Sequence, residues 1–244
     1  MKCTATINDV EVTFDLARPI DISIPITETQ PVNAFHLPRA AFAPFRMGNF
    51  VGSIEEGGPV RCDVVTLAPH GNGTHTECVG HIGGRGYSLL AALTQQLWTA
   101  RLITVQIGVD GAISLEALKG AWQEWGEDAL VIRTLPNDPD KRSRTWSGNN
   151  PPHLSPDAMR LIVERNVQHV LIDLPSVDPE EDEGALIAHR IFWQFPGAPR
   201  TSATISEMIY VPDAVADGVY LLDLNAAAFD GDAAPSRPML YASI

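Results

Sequence analysis

The chain has 244 residues, 45% hydrophobic and 19% charged, with 17 basic and 30 acidic side chains giving a formal net charge of −13 at pH 7. That balance excludes a disordered polymer and leaves enough apolar material for a sizeable core, while the negative field repels nucleic-acid phosphates and anionic lipid. Cys3, Cys62 and Cys78 are too few for a disulfide framework and no apolar run is long enough to cross a bilayer, so a cytoplasmic location is expected, with neither nucleic acid nor membrane as partner.

In chain order, Val10–Phe14 and Ile20–Ile24 alternate apolar and polar residues as half-buried strands do. Leu102–Ile107, Ala129–Arg133 and Val170–Leu174 are more continuously apolar, the pattern of strands buried on both faces, and Gly218–Leu224 is a further candidate. Ser114 is placed to cap a helix through Leu115, Ala117, Leu118 and Trp122 that ends near Gly126. Ser155-Pro156-Asp157 opens another: a Ser cap, Pro in the first turn, and an acid facing the positive helix end. Its apolar face carries Ala158, Met159, Ile162 and Val163, and Asn166 is the expected stop. The middle of the chain therefore alternates strand and helix. Two segments, Phe35–Val60 and Leu135–His153, lack periodicity and read as lids or binding loops. With no repeat or linker, residues 1–244 are expected to form a single α/β domain with a mixed β-sheet.

Chemistry concentrates in one place. Of seven histidines, His70, His75 and His81 fall within twelve residues that also hold Glu77. Imidazole nitrogens and carboxylate oxygens are ligands for zinc and for harder divalent ions such as manganese. His75 and Glu77 are two apart, so an extended backbone sends both side chains to one face. A lone histidine is more often a surface or core residue, but three with a glutamate in a glycine-rich segment reverse that expectation. Cys78 reads as a small buried residue before it reads as a nucleophile.

The pattern Gly73-Thr74-His75-x-Glu77-x-x-x-His81 resembles the His-x-Gly-Thr-His-x-Asp-x-Pro-x-His signature of the cyclase family, the kynurenine formamidase- and isatin hydrolase-like metal-dependent hydrolases. Ile20–Ile26, His153–Ala158 and Val170–Asp178 are similar to further segments of that family. The resemblance implies a barrel-like core with flanking helices in a swivelling β/β/α arrangement. It also implies His75 and Glu77 as metal ligands, His81 as the acid–base residue, and His189 and Glu207 as the remaining ligands. The family's first histidine falls on Gly71, so a one-residue bulge is needed to bring in His70. Glu77 stands where the family has Asp, and Val79 where it has Pro.

The expected activity is hydrolysis of an amide, formamide or lactam C–N bond in a small, aromatic substrate, using zinc or manganese, by an arylformamidase-like enzyme that is a homodimer or larger homo-oligomer. Trp146 and Phe50, with Phe35 and Phe45, are the candidate walls of a substrate pocket, although core packing is the commoner fate of each aromatic. A metal-dependent dehydratase or cyclase, a catalytically silent metal-binding module and a Cys78 thiol hydrolase are the competing readings.

Overall fold

Four parallel strands, Leu97–Gln106, Ala129–Leu135, His169–Ile172 and Thr204–Glu207, form the centre of a nine-stranded mixed sheet and lie side by side in sequence order. The computed structural model describes residues 1–124 and 126–244. Helices Leu115–Ala121, Pro156–Glu164 and Ile187–Trp193 each connect one central strand to the next. Both predicted caps form. Ser114 Oγ accepts the Ala117 N–H at 3.1 Å and Ser155 Oγ accepts the Ala158 N–H at 3.2 Å, satisfying donors that a helix start leaves open.

The strands are buried on both faces, as their apolar runs require. Ile103, Val105, Leu130, Ile132, Val170, Ile172 and Ile205 pack with the helix residues Leu118, Met159, Ile162, Phe192 and Trp193. The alternate residues Leu102, Val131 and Leu171 meet Ile22, Tyr220, Leu222 and Leu240 on the opposite face. Each such Leu or Ile contributes about 1.5–3 kcal/mol of burial free energy. A one-residue slip of any central strand would exchange these two sets.

Antiparallel strands flank the parallel centre. Gly218–Asp223, Met239–Ala242 and Ile20–Asp21 extend it on one side; His75–Cys78 and Ala233–Pro235 extend it on the other. The segment after Ile20–Asp21 then leaves its edge and reaches the other half of the sheet. Ile22 O accepts the Tyr210 N–H at 2.8 Å, Ser23 bridges to Ile209, and Ile24 N donates to Thr74 Oγ1 at 2.6 Å. These bonds hold the sheet curled into a half-barrel, in agreement with the barrel-like core inferred above.

Other expectations need adjustment. Val10–Asp15 is a strand, paired with Lys2–Ile7 across the Asn8-Asp9 turn. The observed Ile20–Asp21 strand is shorter than the alternation suggests because the chain departs to make the closing bonds. Phe35–Val60 is not one open loop: it contributes Ala41–Pro44, which pairs with Asp63–Thr66, and the small hairpin of Arg46–Met47 with Phe50–Val51. Leu135–His153 is pinned rather than free. It contains a 3-10 turn at Pro139–Arg142, and it buries Lys141 and Trp146. The third helix, Ile187–Trp193, has no Ser or Thr cap of its own; Asp178, ten residues upstream, accepts its Ala188 and His189 N–H groups at 2.7 and 3.0 Å.

Candidate metal centre

His75 and Glu77 lie on the strand His75–Cys78, and their side chains leave the same face. The neighbouring antiparallel strand places Glu207 directly opposite His75. The helix Ile187–Trp193 lowers His189 onto that face, and the turn after the strand, Gly80–Gly83, returns His81 to it. Gly80 permits this return: a Cβ there would stand 2.9 Å from Tyr87 O.

Glu77 is the hub of the cluster. Its Oε1 is 3.0 Å from His189 Nε2, and its Oε2 is 3.1 Å from His70 Nδ1 and 3.6 Å from His81 Nδ1. Glu207 forms a second focus, with Oε2 3.4 Å from His75 Nε2 and Oε1 3.8 Å from His189 Nε2. Ligand atoms of His70, Glu77 and His81 lie within 4.8 Å of one another, as do those of His75, Glu77 and Glu207. The five expected ligands and the expected acid–base histidine therefore converge from five elements. His70 is carried on a helical turn, Pro69–Asn72, immediately before Gly73. Gly71 is required inside that turn, because a Cβ there would meet Ala34 O at 2.9 Å.

Two carboxylates that the sequence did not single out complete the surroundings. Asp178 Oδ2 lies 2.6 Å from His189 Nδ1 and fixes the imidazole so that Nε2 faces Glu77. Asp178 is part of the quoted Val170–Asp178 segment, but its role depends on a helix that no local cap announces. Asp232 Oδ2 is 2.9 Å from His70 Nε2 and 3.4 Å from His81 Nδ1. It precedes the strand Ala233–Pro235, which pairs with His75–Cys78, and its carbonyl accepts the Cys78 N–H at 2.9 Å. The only signal in the sequence was Asp-Gly-Asp before a short apolar run, which is indistinguishable from an ordinary turn.

The electrostatics favour positive charge at this point. Burial opposes a charged His70 and a charged His189, yet the carboxylates outweigh it and raise both to about 10: Asp232 and Glu77 act on His70, Asp178 and Glu77 on His189. Glu77 is held well below the usual carboxylate range, its burial overcome by His81, His189 and His70. Hydrogen bonds from His70 and His81 push Asp232 down as well.

The donor set suits a divalent cation. Among the described residues, His75 Nε2 is buried without a hydrogen-bond partner and faces Glu207 Oε2 at 3.4 Å, and buried Glu77 Oε2 has only the ion-pair contact with His70 Nδ1 at 3.1 Å and no well-directed hydrogen bond. Buried polar atoms are normally satisfied, and a pair left open between imidazoles and carboxylates is what a bound ion would complete. Cys78 shares none of this chemistry. It packs with Leu89, Ala92 and Ala234, and burial raises its thiol pKa, so a thiol nucleophile has no support here.

The two aromatic candidates are corrected in part. Trp146 is 3% exposed and belongs to the main core beneath the Arg144 guanidinium, so packing has claimed it instead of an open pocket wall. Phe50 sits half-buried on the small hairpin against Phe45, with ring centroids 6.1 Å apart. Neither ring makes a recorded contact with the histidine cluster among the described residues. The cleft that does adjoin it, of about 650 Å³, is lined instead by Gly80, Arg85, Tyr87, Ser88, Asp230 and Asp232.

Comparison with known proteins places the chain. The cyclase family model, described as "Putative cyclase", matches residues 20–179, and the chain belongs to that family. It is similar to the kynurenine formamidase of Bacillus anthracis, 29% identical over 192 residues that cover 77% of this chain and 83% of the relative. Its fold matches a predicted metal-dependent hydrolase from Bacillus stearothermophilus with a TM-score of 0.65 at 18% identity, over 92% of this chain and 98% of that one. Isatin hydrolase A from Labrenzia aggregata matches with a TM-score of 0.65 at 16% identity, over 93% and 94%.

Proposed function

We propose that the chain is a metal-dependent hydrolase that cleaves an amide, formamide or lactam C–N bond in a small aromatic substrate, within one catalytic domain spanning residues 1–244. The observation that carries this reading is the convergence of His70, His75, His189 and Glu207 on Glu77, with buried His75 Nε2 left open among them. Membership of the cyclase family and similarity to a kynurenine formamidase support the reaction class and the aromatic substrate.

His70, His75, Glu77, His189 and Glu207 would hold zinc or manganese, with Glu77 placed to serve two positions at once. When bound, the ion supplies Lewis acidity, which acidifies water and polarises a carbonyl. The chain's own residues handle the protons. His81 takes a proton from water as its oxygen bonds to the carbonyl carbon, then passes it to the nitrogen as the C–N bond breaks, giving a carboxylic acid and an amine. Asp178 keeps His189 in the tautomer that presents Nε2 to the centre.

The enzyme would work as a homodimer or larger homo-oligomer in the cytoplasm; Met47, Val64 and Val65 on the paired strands and Ile54 in the turn between them are exposed apolar side chains suited to such a contact. No helix among the described residues is long and apolar enough to cross a membrane. The test is metal content of the purified protein together with turnover of N-formyl aromatic amines, anilides and aromatic lactams, with and without added zinc or manganese. Metal-dependent turnover is expected. Tight metal binding with no turnover on any of these would make the chain a binding module, and no metal binding would overturn the reading altogether.

A further inference from the structure

We propose that Asp232 is the positioning carboxylate of the acid–base histidine: it holds His81 in the Nδ1–H tautomer so that Nε2 is the basic atom. This rests on the hydrolase reading of the site and adds a residue to it.

Three observations carry it. Asp232 Oδ2 is 3.4 Å from His81 Nδ1, a long hydrogen bond in which the ring N–H donates to the carboxylate. His81 Nε2 has no hydrogen-bond partner among the described residues, so the second ring nitrogen is left for solvent or substrate. The Asp232 side chain is 42% exposed and, with Gly80 beside His81, lines the cleft next to the cluster, so the pair stands where substrate can approach. A neutral imidazole is a donor at one nitrogen and an acceptor at the other. Fixing the proton on Nδ1 with a carboxylate therefore fixes the lone pair on Nε2, and the negative charge also stabilises the imidazolium formed when Nε2 accepts a proton.

The same carboxylate oxygen lies 2.9 Å from His70 Nε2, so Asp232 spans one candidate ligand and the acid–base residue. Its location explains how it can serve both. The backbone at Asp232 is locked to the ligand-bearing strand by the Cys78 N–H, two residues before Gly80 and three before His81. Asp232 is thus fixed relative to His81 by the sheet and not by a mobile loop contact.

Two measurements test this, one of them independent of turnover. Long-range ¹⁵N–¹H correlation spectra of the zinc-loaded protein, with His81 assigned by its disappearance in His81→Ala, should show the Nδ1–H tautomer. In Asp232→Ala that preference should be lost. An Nε2–H tautomer in the wild type, or an unchanged tautomer in Asp232→Ala, would overturn the proposal. In the kinetic arm, Asp232→Asn should lower kcat by about 10–100-fold with little change in KM or zinc content, and Asp232→Glu should recover part of the loss. In a His81→Ala background, Asp232→Asn should cost nothing further, because the partner through which it acts is gone. Additive losses, or zinc loss in Asp232→Asn alone, would assign the carboxylate to His70 instead. A wild-type protein without metal-dependent turnover would count against the hydrolase reading, while the tautomer would still decide the role of Asp232.

Discussion

Two of the buried charged clusters are built on opposite plans. Beneath the Leu135–His153 segment, Lys141 is 2% exposed and spends all three of its N–H donors on Thr134 O, Thr134 Oγ1 and Asp173 Oδ2 at 2.9, 2.8 and 2.8 Å. One cation meets one anion, and Asp173 Oδ2 also accepts the Thr134 N–H at 2.9 Å. The cluster around Glu77 has four histidines facing four carboxylates, Glu77, Asp178, Glu207 and Asp232, and among the described residues it leaves His75 Nε2 without a hydrogen-bond partner. The first arrangement carries its own counter-charge and holds a loop in place. The second draws positive charge from outside itself, in the form of protons or of a metal ion. Asp173 Oδ1 is buried without a partner as well, so neither a buried ion pair nor one open oxygen identifies a functional site; several imidazole and carboxylate ligand atoms converging on one point are the better mark.

Removing His75 should break the comparison most completely. His75→Ala deletes a proposed ligand that faces Glu207, and we expect loss of bound metal by elemental analysis and hydrolysis reduced to background. Retained metal with retained turnover would show that the strand residue is only a packing element. His81→Ala comes next, with kcat lower by roughly 10²–10⁴ and metal content intact. Because His81 Nδ1 also stands 3.6 Å from Glu77 Oε2, parallel loss of metal would make it a ligand.

The self-contained cluster should respond in stability and not in chemistry. Lys141→Met leaves the Asp173 carboxylate buried without its cation, which costs about 3–5 kcal/mol when one partner of a buried pair is removed. Denaturant melts should show that loss, while kcat per folded molecule stays unchanged. A fall in kcat without a fall in stability would mean that the pair reaches the active centre.

The narrowest effect, confined to acid pH, belongs to a buried histidine outside both clusters. His169 donates or accepts at Nδ1 with Thr204 Oγ1 at 2.8 Å and packs against Trp98, and burial, aided by the Arg200 charge, pushes its pKa down to about 3. The unfolded chain protonates this residue near pH 6.5, about three units earlier than the folded one. Stability from a neutral buried His169 is thus present above about pH 6.5 and lost as pH falls towards 3, by up to about 1.4 kcal/mol per pH unit. His169→Asn keeps a polar partner for Thr204 without the titration, and its urea midpoint should fall less steeply over that range. Equal slopes in the two proteins would assign the acid sensitivity elsewhere.

Much of this architecture was legible from short-range pattern. The continuous apolar runs marked the central strands, and Ser114 and Ser155 marked two helix starts at the residues that cap them. The period-2 spacing of His75 and Glu77 put both on one face of a strand. What escaped was non-local. Lysine is rarely buried, and nothing near Lys141 announces a partner 32 residues away at Asp173. Asp232 lies 151 residues from His81 and meets it only because two antiparallel strands pair. Phe35–Val60 looked irregular because its strands are only two to four residues long and are interrupted by Pro44 and Gly48, too short for a period to appear. Trp146 took the commoner course for an aromatic and joined the core.

The placement of the strand His75–Cys78 between Thr204–Glu207 and Ala233–Pro235 bears on when the centre can exist during synthesis. The segment holding His70, Glu77 and His81 leaves the ribosome early, but both of its sheet neighbours are encoded more than 120 residues later. Until Pro235 has emerged, those histidines and glutamates are attached to an unpaired strand with no fixed separation between them. Loose imidazoles and carboxylates on a nascent chain bind divalent ions weakly and without selectivity, because the geometry that discriminates among metals is absent. Tight and selective metal capture must therefore follow release of the chain through Pro235, and cannot template the folding steps that precede it.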